Sequence, residues 1–143
     1  MLIGHSNVSL LPDTNHVARH VQPGALDEDQ RPGPAAFQPR ETEPYLSVQW
    51  VEHFGSISDR ETVIPLVRQA LGRQRTIRKS HKIAVLNIGE SKRHVTKNSD
   101  RRIRFEHLPI EPDDLGHAGI FGIDSLYIAE LLTEKIVDVW DGR

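Results

Sequence analysis

The sequence predicts a single α+β domain, with α/β as the alternative, built on a small sheet of three to five strands with two or three helices packed on it. Three observations favour this class. A segment near the N-terminus alternates polar and apolar side chains, three strand-like segments follow one another in the second half, and segments with helical spacing lie before and after those three. The length of 143 residues suits one domain.

The N-terminal third contains one strand and one long loop. Residues 1–14 are predicted to be a flexible segment, and residues 15–143 the compact domain. Residues 16–21 have the two-residue period of a half-buried strand, which Pro23 and Gly24 end. A proline-rich loop is predicted over residues 22–44, because five of the nine prolines lie there and proline removes backbone donors.

Two helices are predicted next. In residues 46–54 the apolar side chains fall at helical spacing, which favours a short helix over a strand. Ser58 and Glu61 then have the spacing of a capping box, so a second helix is expected from there to Leu71, with a kink or a split at Pro65.

The patterns in the second half of the sequence predict three strands and a last helix. Residues 83–88 are nearly all apolar, which is typical of a strand buried on both faces, whereas residues 102–108 alternate. Residues 117–123 form the third strand-like segment. Asp124 is expected to cap a helix that runs to about Trp140 on one apolar stripe.

Six short segments stand out by their order along the chain: HVARHV at 16–21, RP at 31–32, LSVQW at 46–50, AVLNIG at 84–89, HAGIFG at 117–122 and IAELL at 128–132. In that order they resemble a group of short uncharacterised bacterial proteins with no established activity, over about residues 16–140. The resemblance implies a bacterial, phage or plasmid setting and one compact unit. It implies no catalytic residue.

Composition removes several classes of function. The chain contains no cysteine, which excludes disulfides, thiolate nucleophiles and zinc ribbons and fits a cytoplasmic protein. We expect no secretory signal and no membrane partner, because neither a signal pattern nor an apolar run of about 20 residues occurs. No phosphate loop or dinucleotide fingerprint is present, so no cofactor is expected.

Charge is strongly segregated along the chain. Residues 68–104, the basic block, contain twelve Lys/Arg and two acidic residues, a formal charge of +10 in a protein whose total is −2. Such a block predicts nucleic acid or an acidic protein as the partner, and a merely solvated face remains open. No aromatic residue lies in the block, so platforms for base stacking are missing. The candidate binding residues are Arg73, Arg75, Arg78, Lys79, Lys82, Lys92, Arg93, Lys97, Arg101 and Arg102.

Two smaller sets of residues are candidates for chemistry. His107 and His117 could act as general acid and base, or could hold a divalent metal together with Asp113 and Asp114, although no zinc-ligand spacing is present. Arg19 could grip a phosphate, with Ser47 completing a pocket beside the proline-rich loop. Ordinary surface positions are the alternative for both sets.

The leading interpretation is therefore a non-enzymatic bacterial interaction module that uses its basic block to bind nucleic acid or an acidic protein. The alternative is a small enzyme acting on a nucleotide or nucleic acid. In it Arg19 and Lys82 bind phosphate, and His107 and His117 move protons. A multi-component defence or toxin–antitoxin system would suit either. The sequence leaves the oligomeric state open.

Overall fold

The chain folds into one antiparallel sheet of seven strands with helices on both faces. The computed structural model describes residues 9–73 and 75–143. The strands are β1 (Ser9–Leu10), β2 (His16–Val21), β3 (Leu46–Trp50), β4 (Lys82–Asn87), β5 (Arg104–His107), β6 (His117–Phe121) and β7 (Ile136–Asp141). The α-helices are α1 (Arg60–Leu71), α2 (Ile88–Asn98) and α3 (Leu126–Thr133). The strand order is β1-β5-β6-β3-β2-β4-β7, and every neighbouring pair is antiparallel.

The α+β type holds, but the prediction of a three- to five-stranded sheet is wrong. Two segments predicted as helix contribute strands. Residues 46–50 form β3, in which Leu46 and Val48 face one core while Ser47 and Gln49 alternate to the other side. The last helix ends at Thr133, and the remaining apolar residues form β7, which covers the edge of β4.

Each face of the sheet has its own core. Ala18, Ile83 and Val85 pack with α1, and we call this the α1 face. The opposite face carries Val17, Val48 and Leu86 under α2, α3 and a short 3-10 helix at Pro34–Phe37, and we call it the α3 face. Because side chains alternate along a strand, the face of any strand residue follows from its position.

The N-terminal segment contributes to the sheet. Ser9 and Leu10, within the stretch predicted to be flexible, pair with β5, and Leu11 is buried. Residues 1–8 of that prediction lie outside the described residues. None of the helices in the described ranges combines the length and the apolar character that a bilayer span demands.

The pairing between β2 and β3 stops early and opens a gap in the sheet. β2 pairs with β4 over six residues but with β3 only at Val17 opposite Trp50 and Ala18 opposite Gln49. Beyond these pairs the two strands are no longer paired. We call the gap between residues 19–21 and 46–48 the fork. The proline-rich segment lies beside it, held by the fully buried Phe37.

Candidate functional site

The ten candidate residues of the basic block do not meet on one surface. We call the end of the sheet that holds Val21, Leu46 and Lys82 the upper end. Four of the ten lie at the start of β4 or in the loop before it, at the upper end: Arg75, Arg78, Lys79 and Lys82. Arg73 instead lines a cavity with Glu111, Asp113 and Asp114 of the loop that joins β5 to β6 at the opposite end. Three lie on α2, which starts from the opposite end: Lys92, Arg93 and Lys97. Arg101 and Arg102 precede β5, four strand spacings from β4, which is about 19 Å.

Carboxylates from outside the block pair with three of these ten cations. Lys82 binds Asp141 at 2.6 Å, Lys92 binds Asp13 at 2.8 Å, and Arg101 lies 3.3 Å from Asp124. Arg93 pairs with Glu90 of its own helix. Within the described residues, six of the ten candidates form no ion pair: Arg73, Arg75, Arg78, Lys79, Lys97 and Arg102. The expected single positive surface is thus divided and partly neutralised.

One unpaired cation of the upper end, Arg75, lies beside the fork, where Arg19 is held. Arg19 donates from Nε to the carbonyl oxygen of Ala36 at 3.0 Å and from Nη1 to that of Ser47 at 2.9 Å. Its guanidinium therefore bridges the proline-rich segment and β3 across the gap in the sheet. A guanidinium has five N–H donors, and three of them have no acceptor in the described part of the chain.

The field at the fork is positive. Burial, followed by the charges of Arg75 and Arg40 and opposed by Glu43, lowers the pKa of Arg19 to about 10. Arg19 is therefore still charged at neutral pH. Three guanidinium groups and one carboxylate thus face this region, an excess of positive charge that only an anion or solvent can balance.

A cavity of about 500 Å³ opens at the fork. Arg19 and Ser47 line it from the two separated strands, Arg75 from the loop after α1, and the proline-rich segment supplies the remaining wall. Its size lies in the range of cavities that hold small ligands. The lining includes Arg19, His20, Gln22, Gln38, Arg40, Glu43, Ser47 and Arg75.

One histidine of the cavity lining, His20, forms a pair with His81. His20 Nε2 lies 2.7 Å from His81 Nδ1, and His20 is almost fully buried. Burial, followed by the charges of Arg75, His81 and Arg19, lowers the pKa of His20 to about 4. His20 is therefore neutral at pH 7, and it adds hydrogen-bonding capacity to the cavity wall without adding charge.

A serine and a histidine meet on the α1 face beside the fork. His117 Nδ1 lies 2.9 Å from the carbonyl oxygen of Leu108, and Nε2 lies 3.3 Å from Ser47 Oγ. A carbonyl only accepts, so Nδ1 carries the proton and Nε2 presents its lone pair to Ser47. Gly119 leaves room for Tyr45, whose ring packs edge-on against His117.

A second, smaller cavity of about 60 Å³ is lined by Ser47, His117, Gln49 and Arg75. Gln49 Nε2 donates to Asp114 at 2.9 Å, which fixes the amide so that Oε1 is the free atom. Gln49 is buried, and its Oε1 has no partner within the described residues. A buried acceptor without a partner is costly, so this cavity is suited to a donor such as water.

The predicted pairing of His107 with His117 does not form. His107 lies two residues after Phe105 on β5 and therefore shares its α3 face. His117 precedes Ala118, which is on the α3 face, so the side chain of His117 lies on the α1 face. His107 Nε2 lies 2.7 Å from the carbonyl oxygen of Leu115, and its ring packs against Trp50. Across residues 9–73 and 75–143, no three His, Asp or Glu residues are grouped to bind a metal ion.

Lys82 and Arg19 do not reach the same place: Lys82 binds Asp141 on β7, whereas Arg19 reaches across to β3. Sequence reasoning did, however, name Arg19, Ser47 and the proline-rich loop as one pocket, and the structure brings these three together. It missed Arg40 and His81 as its neighbours. Their proximity depends on the fork, which has no signal in the local sequence.

No protein-family model matches this chain, and neither a curated protein nor a solved structure is significantly similar to it. The case for function therefore comes from the geometry of the fork.

Proposed function

We propose that the protein binds nucleic acid, with one phosphate held at the fork by Arg19, Arg75 and Arg40. The observation that carries this proposal is the position of Arg19. Its guanidinium borders a cavity of about 500 Å³ and keeps three N–H donors without an acceptor among the described residues. Guanidinium groups match the oxygen atoms of phosphate in geometry and charge.

The basic block contributes only in part to this proposal. Arg78 and Lys79 are exposed at the upper end, in the same loop as Arg75, and supply sites for flanking phosphates. Lys92 and Arg93, which pair with Asp13 and Glu90, contribute little. A strand of nucleic acid would therefore cross the upper end of the sheet rather than cover the whole block.

An acidic protein is the other partner that the charges would accept. The cavity favours nucleic acid because its volume admits a nucleotide together with its phosphate. An Asp or Glu side chain on the surface of a folded protein is shorter than a nucleotide and would fill less of this cavity.

Fluorescence anisotropy with labelled mixed-sequence DNA and RNA tests the proposal. We expect the double variant Arg40→Ala/Arg75→Ala to lose about tenfold or more in affinity at about 50 mM salt, since hydrogen bonds to charged groups contribute about 1.5–3 kcal/mol each. The matched control is Lys92→Ala/Arg93→Ala, which removes the same amount of charge from α2 and should change affinity less than twofold.

Equal losses in the two double variants would contradict a phosphate site at the fork, as would no binding by the unmodified protein. A parallel titration with labelled poly-glutamate separates the partners. If poly-glutamate binds more tightly than nucleic acid and depends on Arg40 and Arg75, the partner is an acidic protein and the nucleic-acid proposal is wrong.

A further inference from the structure

We infer that Ser47 and His117 form a nucleophile and its base, and that this pair cleaves phosphate esters held at the fork. The inference rests on the proposed function for its substrate class and extends it from binding to hydrolysis. Ser47 lines both cavities, the large one in which we place the ligand phosphate and the small one that it shares with His117. Arg75 also lines both.

The tautomer of His117 suits the role of a base. The carbonyl oxygen of Leu108 holds the proton on Nδ1, which leaves the Nε2 lone pair 3.3 Å from Ser47 Oγ. Such contacts are often loose before substrate binds and tighten in the reacting complex. His117 is buried and packed by Tyr45, so its ring orientation is fixed.

The first step transfers the phosphoryl group to the serine. Ser47 Oγ attacks phosphorus while Nε2 of His117 takes the hydroxyl proton. The bond from phosphorus to the leaving alcohol oxygen breaks, and that oxygen receives the proton from Nε2. Arg75 lies beside both groups and balances the charge that develops on the phosphoryl oxygens.

The second step returns the serine. The small cavity of about 60 Å³ has room for a water molecule, and the unpaired Oε1 of Gln49 is an acceptor for one of its hydrogens. Nε2 of His117 takes the other proton as the water oxygen attacks phosphorus. The bond from phosphorus to Ser47 Oγ breaks, and the serine recovers its proton. The net reaction consumes one water and releases an alcohol and a phosphate product.

A chain without cysteine allows a sharp test of the nucleophile. Ser47→Cys introduces a unique thiol, and its rate of reaction with methyl methanethiosulfonate at pH 7 reports both access and activation. We expect Ser47→Cys to react at least tenfold faster than Ser80→Cys, an exposed loop position. Adding His117→Gln should remove this advantage, whereas adding His107→Gln should not.

Hydrolysis and covalent labelling complete the test. With bis(p-nitrophenyl) phosphate as substrate, we expect turnover that falls at least 100-fold in Ser47→Ala. A fluorophosphonate should label Ser47 in the unmodified protein, as seen by mass spectrometry of its peptides. The inference is overturned if the thiol of the Ser47→Cys variant is unreactive or indifferent to His117, if no label reaches Ser47, or if Ser47→Ala hydrolyses the ester at the unmodified rate.

The binding proposal and the hydrolysis inference can be contradicted independently of each other. Binding is measured by the anisotropy of labelled nucleic acid and its dependence on Arg40 and Arg75, whereas the inference is measured by the covalent labelling of Ser47. If the unmodified protein binds no nucleic acid but Ser47 is still labelled, the binding proposal is wrong and the assignment of Ser47 and His117 as nucleophile and base is retained.

Discussion

At the scale of single residues, His20 is a titratable group held in an environment very different from water. Burial and the neighbouring Arg75, His81 and Arg19 lower the pKa of His20 to about 4, against an ordinary value near 6.5. Between pH 6.5 and 4, His20 is therefore protonated in the unfolded chain but neutral in the folded protein. The free energy of unfolding should fall as the pH is lowered through this window.

We predict that this dependence is reduced in His20→Gln, which keeps a polar side chain beside His81 but does not titrate. Urea unfolding at pH 7.5 and 4.5 should show that the unmodified protein loses about 2 kcal/mol more than the variant. His53→Gln, at an exposed histidine, is the control and should follow the unmodified protein. Identical pH dependence in all three proteins would contradict the neutral, buried state of His20.

At the scale of elements, α3 offers a direct choice between two N-caps. The sequence predicted Asp124, but the structure has Ser125 as the N-cap, with its Oγ accepting from the amide of Ile128 at 3.3 Å. Ser125→Ala should therefore lower the free energy of unfolding by about 1 kcal/mol. Asp124→Ala removes only an exposed ion pair with Arg101 and should cost less than about 0.5 kcal/mol. Thermal unfolding of both variants measures these losses. A larger loss of stability in Asp124→Ala than in Ser125→Ala would show that Asp124 is the cap.

The elements also show how far local patterns determine the fold. The apolar run at 83–88 and the alternation at 102–108 predicted two strands close to the observed β4 and β5. Residues 46–50 and 136–141 fit both the strand period of two residues and the helix spacing of three to four. In segments this short, both patterns place the apolar residues on one side. Tertiary pairing with β6 and β4 resolves them as strands. α2 was missed because only one narrow side of it is buried, with Gly89 and Ser91 among its few buried residues.

The candidate site was predictable only in fragments. Arg19 and Ser47 carry residue types that suggested a pocket, and they do meet. His117 was selected for its chemistry but assigned the wrong partner, since the sequence does not reveal that His107 lies on the opposite face of the sheet. The fork that joins these groups results from where one strand pairing ends, a property of the whole sheet.

At the scale of the whole molecule, folding redistributes the charge that is segregated along the chain. Asp13 and Asp141 come from opposite ends of the sequence, yet each neutralises a lysine of the basic block. Their pKa values are lowered, chiefly by hydrogen bonds from Lys92 and Lys82 respectively. A net charge of +10 over 37 residues therefore does not become an equally strong patch on the surface.

This redistribution predicts how binding depends on salt. If nucleic acid contacts only the three arginines of the fork with Arg78 and Lys79, three to five phosphates are neutralised. The slope of log affinity against log salt for a single strand should then lie between about −2 and −3.5, and affinity should fall roughly 20- to 130-fold between 50 and 200 mM. Engagement of all twelve cations of the block would give a slope near −8. Anisotropy titrations across this salt range distinguish the two. A slope near −8 would mean that Lys82, Lys92, Arg93 and Arg101 leave their carboxylates to bind phosphate, contrary to the division of the block into separate groups.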